Sequence, residues 1–252
     1  MLFRSLQIEP LPSELEPMQA ALNRMLSQIQ EVLGRERRFI ADAAHEMRTP
    51  LAVLRVHAQN LLEAGTEAEK RESLEYLIVG VDRTSRLVNQ LLTMARLEPQ
   101  SIAPPLQTVD LTATVREGLV QLTPWLLSKG LELTFDVSDV PYITHTDPVA
   151  INIALNNLVT NAANFSPEHG LITVRLTKIN GHFQLAVEDQ GPGINEAERE
   201  RLFERFYSRG NDQGAGLGLT IVQTIAVRLK GRIHLDNLPD GGLCATLELP
   251  VN

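Results

Sequence analysis

Four short stretches of this sequence carry residue types at spacings that can do chemistry. In "FIADAAHEMRTPLAVL", residues 39 to 54, His45 is followed at once by Glu46, and Arg48, Thr49 and Ala52 share the histidine's helix face. An exposed imidazole can act as a nucleophile, and a neighbouring carboxylate can accept the ring proton. Pro50 cannot donate to the carbonyl of Glu46 and its ring crowds that group, so the helix is expected to bend beside His45. In "NNLVTNAANFSP", Asn157, Asn161 and Asn164 form one polar stripe, while Ile153, Leu158 and Val159 occupy the opposite face. Their carbonyls are hard oxygen ligands suited to a Mg²⁺ ion also held by phosphates, and their amide hydrogens can donate to phosphate. "VEDQGPGI" places Asp189, Gly191 and Gly193 after a strand pattern, where a buried acceptor can meet an exocyclic amine such as that of adenine. "QGAGLGLTIVQTI" sets Gly214, Gly216 and Gly218 before an apolar-periodic helix, which is an anion cradle.

Each stretch also has a plain reading when taken alone: a surface histidine, a solvated helix face, a turn, a flexible loop. A Rossmann turn is excluded because the second glycine loop follows the polar segment "SRGNDQ" instead of a strand, and no Gly-Lys-Ser/Thr is present for a P-loop.

Positioning such residues requires two kinds of element. Ile40, Ala44, Met47, Leu51, Leu54, Ala58 and Leu61 alternate at four and three residues, a heptad seam that leaves His45 on its wet flank. Leu74, Leu77, Val81, Thr84, Val88, Leu91 and Ala95 form a second seam, widened by Ile78, Leu87 and Leu92. Between them Gly65 suits a helix C-terminus, and Thr66 with Glu69 forms a capping box. Two antiparallel helices with broad apolar faces leave one face wet, so a homodimeric four-helix bundle is expected. Upstream, Leu22, Leu26, Ile29 and Leu33 keep the spacing, Glu36 interrupts it as a stutter, and Ser13 with Glu16 is the expected cap.

"RLEPQSIAPPLQTVD", residues 96 to 110, holds three prolines and reads as a linker. Beyond it, "LELTFDV" alternates as a strand, and "LITVRLTKINGHFQLAVED" reads as a hairpin about Asn180-Gly181. Helical patterns fall near residues 111 to 127, 148 to 163, 196 to 204 and 217 to 229, and strands at about 232 to 236 and 243 to 249 flank "LPDGG". The expectation is an α+β chain whose second domain has a mixed or largely antiparallel sheet with helices on one face.

The totals narrow the function. A formal net charge of -8 argues against nucleic acid as the main partner, so an anionic ligand must be held locally. No run of about 18 apolar residues occurs, and "MLFRSLQIEP" lacks the apolar core of a signal peptide; this stretch of chain is expected to make no membrane contact of its own. The one cysteine, Cys244, excludes an internal disulfide and a multi-cysteine zinc site.

Together, in this order, these stretches resemble the two-component sensor histidine kinases from about Arg37 onward. "FIADAAHEMRTPL" resembles the family's H box, "NNLVTNAANFS" its N box, "DQGPGI" and "GAGLGLTIV" its two glycine boxes, and "LFERFY", residues 202 to 207, its F box. The first is most similar to the "DAAHELRTPL" subgroup, which carries a HAMP relay before this region; Met47 stands in place of leucine, a volume-conserving change. The resemblance implies four parts: a signalling segment over 1–36 at the end of a HAMP-like linker, a dimerisation and phosphotransfer hairpin over 37–97, a linker over 98–110, and an α/β sandwich of the Bergerat type binding ATP over 111–252.

It also implies roles. His45 would receive the γ-phosphoryl group of ATP on a ring nitrogen with Glu46 as base. Asp189 would hold adenine, and Asn161 would bind Mg²⁺ with Asn157 beside the phosphates. Gly191, Gly193, Gly214, Gly216 and Gly218, with Leu217 and Leu219, would shape the pocket and lid, hinged by Phe203 and Phe206. A response-regulator receiver domain would dock near Ala52, Arg55, Val56 and Gln59 to take the phosphoryl group on an aspartate, and Glu46 with Thr49 matches the pattern for the reverse, phosphatase reaction. Asn164 stands where the family often has a basic residue, so Arg205 or Arg209 is expected to supply the cationic phosphate contact. The parent protein implied is a bacterial inner-membrane sensor with this portion in the cytoplasm. Two other classes are a non-catalytic ATP-binding scaffold, opposed by the presence of His45, Glu46, Asn161 and Asp189, and a gyrase- or chaperone-like ATPase, which leaves "AAHEMRTPL" on a heptad helix unexplained.

Overall fold

A computed structural model of the chain describes residues 12, 15–97, 106–138, 140–207 and 216–251. It divides into two units, Met1–Thr84 and Ser85–Asn252.

The first unit is built from α1 (Glu16–Glu63) and the greater part of α2 (Glu67–Leu97). α1 is helical throughout, passing both Glu36 and Pro50. Its N-cap is Leu15, which makes no side-chain capping bond; Ser13, the expected cap, lies outside the described residues. The loop to α2 uses the capping box. Glu69 Oε2 accepts from the N–H groups of Gly65 and Thr66, both at 3.0 Å, while Thr66 Oγ1 accepts from Glu69 N at 3.2 Å. These bonds pull the Glu69 carboxyl below its ordinary pKa, led by the Thr66 N–H. The C-cap of α1 is Ala64 in extended geometry, so Gly65 contributes its N–H and not a left-handed turn. The helices then run close together, since a Cβ at Gly80 would lie 2.7 Å from Leu54 Cδ2, and the rings of His57 and Tyr76 stack with centroids 4.7 Å apart. Seam residues Ile40, Leu51, Leu74 and Val81 are each at least half exposed in the single chain, so the hairpin carries an unpartnered apolar face.

The second unit centres on a five-stranded sheet of order β2-β4-β5-β7-β6, with β2 (Glu132–Val137), β4 (Leu171–Ile179), β5 (His182–Glu188), β6 (Arg232–Asn237) and β7 (Leu243–Pro250). β2 and β4 pair parallel and the other pairs are antiparallel, as an α+β chain requires. Strict alternation puts Ile172, Val174, Leu176, Phe183, Leu185, Val187, Ala245, Leu247 and Leu249 on one buried face. That face is covered by α3 (Leu111–Ser128), α4 (Pro148–Phe165) and α5 (Gly218–Arg228), through buried residues such as Val115, Leu155, Leu158 and Ile221. The turn between β4 and β5 has Asn180 and Gly181 both at positive φ, 49° and 76°, the geometry that matches the twist of the hairpin.

Two expectations change. Gln107–Asp110, inside the segment read as linker, is strand β1 and pairs antiparallel with β3 (Ile143–Thr146). Residues 196 to 204 are not an α-helix but two single 3₁₀ turns, Glu196–Glu198 and Arg201–Phe203, since a helical pattern of nine residues is near the length at which isolated helices fail. Asp110 and Asp147 cap α3 and α4: each accepts two backbone N–H bonds, and Pro148 follows the second cap in the first turn, where its missing N–H costs nothing.

Candidate active site

His45 lies on the exposed flank of α1, and its side chain makes no hydrogen bond to any described residue. Thr49, one turn on, is exposed too, and Glu46 is half-buried beside the seam residue Met47. Because Pro50 has no N–H, the carbonyl of Glu46 loses its intrahelical partner one residue from the histidine.

The second unit gathers the remaining marked residues around the end of β5 and the N-terminus of α5. Asp189, one residue beyond β5, is 4% exposed. Its Oδ1 accepts from Gly191 N at 2.8 Å and from Leu243 N at 3.2 Å. No donor from a described residue reaches Oδ2, which leaves one oriented acceptor oxygen. Burial pushes the Asp189 carboxyl above the usual carboxylate range, and the two backbone N–H groups partly offset that. The segment after it has no room for side chains: a Cβ on Gly191 would meet Phe165 O at 2.7 Å. Gly193 has φ 70° and its Cβ would lie 2.6 Å from Asn237 Oδ1. Asn237 clamps this loop from both sides, accepting from Ile194 N at 2.7 Å and donating to Ile194 O at 2.8 Å.

α4 borders this region through Asn157, beside Gly218, and through the carbonyl of Phe165, beside Gly191. Asn157 turns its Nδ2 back to Ile153 O at 2.8 Å, and its Oδ1 would be 3.3 Å from a Cβ on Gly218. Asn161 is half-buried, and its amide bonds to no described residue. A free amide oxygen of this kind fits a Mg²⁺ ion whose other ligands come from phosphate and water; no cluster of three His, Cys, Asp or Glu able to hold a metal is found among the described residues. Asn164 Oδ1 accepts from Lys129 Nζ at 3.2 Å.

The F-box residues and the second glycine loop are tied together. Phe206 adopts φ 62° and its N–H donates to Gly216 O at 3.0 Å; Thr220 Oγ1 donates to Phe203 O at 3.1 Å. Gly216 has φ 66°, and a Cβ there would be 2.6 Å from the backbone of Phe206. Leu217 is fully buried and caps α5 without a side-chain bond, so the N–H groups at the start of the helix, on Gly218, Leu219 and Thr220, meet no acceptor among the described residues, which is the chemistry of an anion-binding helix N-terminus. Gly214 and Arg209 lie outside the described residues. Arg205 is exposed and already engaged.

Asn237, Leu243 and Lys129 went unmarked in the sequence. Leu243 acts through its backbone, Asn237 reads only as a strand end, and Lys129 only as a helix terminus; none has a local signal. Gly242, read as part of a turn, has φ 105°, and a Cβ there would lie 2.0 Å from Asp189 O.

An exposed histidine on a helical hairpin, followed by a sheet domain with a buried acceptor and a glycine loop before a helix N-terminus, is the arrangement found in the histidine kinase family. Two family models match in that arrangement: the His Kinase A (phospho-acceptor) domain over 35–100, and the Histidine kinase-, DNA gyrase B-, and HSP90-like ATPase over 146–252. The swarming motility regulation sensor protein RssA of Serratia marcescens is 32% identical over 242 residues, covering 94% of this chain and 51% of that protein. The solved structure of the Acinetobacter baumannii histidine kinase AdeS superposes with a TM-score of 0.66 at 27% identity, over 82% of this chain and 98% of that one. A mycobacterial sensor histidine kinase, MprB, gives a TM-score of 0.52 at 32% identity, over 58% of this chain and 98% of that one. This chain belongs to the two-component sensor histidine kinases. It spans about half the length of the curated relatives it matches. No described helix is long and apolar enough to cross a membrane.

Proposed function

We propose that this chain is the ATP-dependent autophosphorylating core of a membrane-anchored sensor kinase, acting as a homodimer and passing its phosphoryl group to a response-regulator receiver domain. Adenine donates its exocyclic amine to the open oxygen of Asp189. The phosphates meet the first N–H groups of α5 between Gly216, Gly218 and Leu219. Asn161, with Asn157 beside it, would hold Mg²⁺, which when bound would supply positive charge against the phosphate oxygens. Gly191 and Gly193 admit the base, and Phe203, Phe206 and Gly214 belong to the lid. A ring nitrogen of His45 then bonds to the γ-phosphorus while the bond to the ADP oxygen breaks, and the ring proton passes toward Glu46. Because such a transition state is loose, these residues act by positioning and by spreading charge. The regulator's aspartate next takes the phosphoryl group as the N–P bond breaks, docking near Ala52, Arg55, Val56 and Gln59. Thr49 with Glu46 places water against the phosphoaspartate in the reverse reaction. The apolar face carrying Ile40, Leu51, Leu74 and Val81 supports the dimer.

The observation that carries this reading is the pairing of an exposed His45 on the hairpin with an oriented, buried Asp189 in the sheet domain. Incubation with γ-labelled ATP and Mg²⁺ tests it. Acid-labile, base-stable label is expected on the wild type and none on His45→Ala; label that persists in the variant, or an unlabelled wild type, overturns it.

A further inference from the structure

The chain carries a net charge of -8, so a nucleotide triphosphate approaches a protein that repels it, and cations close to the phosphates must work locally. Lys129, the C-cap residue of α3, is one that the kinase reading leaves unassigned. Its ammonium lies 3.2 Å from Asn164 Oδ1 and 4.9 Å from the centre of the Trp125 ring. Asn164 stands on the same stripe of α4 as Asn157 and Asn161, so the ammonium sits against the polar row that borders the candidate site through Asn157. Among the described residues no carboxylate pairs with it. An ammonium has three donors, and Asn164 takes one of them. Lys129 is exposed, and the partial desolvation of its ammonium, and after it the charge of Arg86, lowers its pKa.

We infer that Lys129 is a phosphate-binding residue, held by Asn164 and Trp125 so that its free donors meet the triphosphate of bound ATP. This rests on the kinase reading above. A residue that merely packs the end of α3 against Trp125 would do none of this, and the two roles separate on ligand charge.

The test compares binding of adenosine, ADP and ATP, each with Mg²⁺, by calorimetry on wild type, Lys129→Met, Lys129→Arg and the double variant Lys129→Met/Asn164→Lys. Methionine keeps the apolar stem and removes the charge. Loss of a charge-assisted hydrogen bond is expected to weaken ATP about 10- to 100-fold and to leave adenosine within about twofold. Arginine should retain most of the ATP affinity, and the double variant should regain it by moving the cation to the stripe itself. Trp125 is the chain's one tryptophan, so its fluorescence should change when ATP binds the wild type and stay flat with adenosine. ATP affinity unchanged in Lys129→Met, or adenosine weakened as much as ATP, overturns the assignment while leaving the kinase reading intact. A wild type that binds no ATP overturns both.

Discussion

Replacing Asp189 by asparagine preserves shape and removes charge, and the structure separates the consequences for binding from those for stability. Oδ1 already accepts from Gly191 N and Leu243 N at 2.8 and 3.2 Å, so the asparagine carbonyl takes that place and its amide nitrogen replaces Oδ2. A donor then faces the exocyclic amine of adenine. The lost charge-assisted bond is worth about 1.5–3 kcal/mol, which is roughly 10- to 150-fold in Kd, and the opposed donors add to it. Stability is expected to move the other way. Burial raises the carboxyl pKa, so the folded chain binds this proton more tightly than the unfolded chain does. The group's contribution is therefore present below its unfolded pKa and is lost as pH rises through the raised folded value. Above that raised value the wild type carries a buried charge that Asp189→Asn lacks. Calorimetric titration with Mg-ATP, paired with thermal melts at neutral and mildly acidic pH, reads both effects. The expected result is weak ATP binding with a Tm equal to or above wild type at neutral pH, an advantage that shrinks on acidification. ATP affinity within about threefold of wild type refutes the adenine contact. Lost binding accompanied by a lowered Tm at neutral pH would instead mark Asp189 as a structural anchor for Gly191 and Leu243.

Three further outcomes are expected. Gly216→Ala forces a side chain onto a φ of 66° and against the Phe206 backbone, so it should destabilise the sheet domain by about 1 kcal/mol or more and weaken ATP binding, read by Tm and titration, while the helicity of the hairpin is unchanged. Asn237→Ala removes two hydrogen bonds that hold Ile194, and a loss of roughly 1–2 kcal/mol with weaker adenosine as well as ATP binding is expected, because in the proposed complex the loop it holds would line the base and not the phosphates. The Glu69 carboxyl is held below its ordinary pKa by the N–H and hydroxyl groups of the capping box, so its contribution is present above the unfolded pKa and is lost as pH falls through the folded one. Glu69→Gln should accordingly flatten the acid limb of the hairpin's stability profile, followed by circular dichroism, and leave ATP binding alone.

Much of this protein is written in short-range chemistry. The heptad seams, the Thr66 and Glu69 capping box and the Asn180-Gly181 hairpin were legible because each depends on residues within about one helical turn or one tight turn of one another. The candidate chemical residues were marked in the same way, by short-range spacing, but an asparagine stripe or a glycine loop has a plain reading when taken alone, and only their order along the chain matched a family. The linker was misread at Gln107–Asp110, because that strand exists only through its partner Ile143–Thr146, and a strand of four residues has no stability until it is paired. The segment 196 to 204 was misread because its helical pattern is too short to outweigh the cost of nucleation.

By itself, then, the sequence determined most of the helices and strands and which family's motifs they carry. Only the tertiary structure decided how those residues are held. Leu243 reaches Asp189 from 54 positions away, Asn237 reaches Ile194 from 43, and Lys129 reaches Asn164 from 35. A backbone N–H or an amide has no signature in its own neighbourhood that names a distant partner; the pairing arises from strand register and helix packing, which are settled only when the whole sheet has closed over its core.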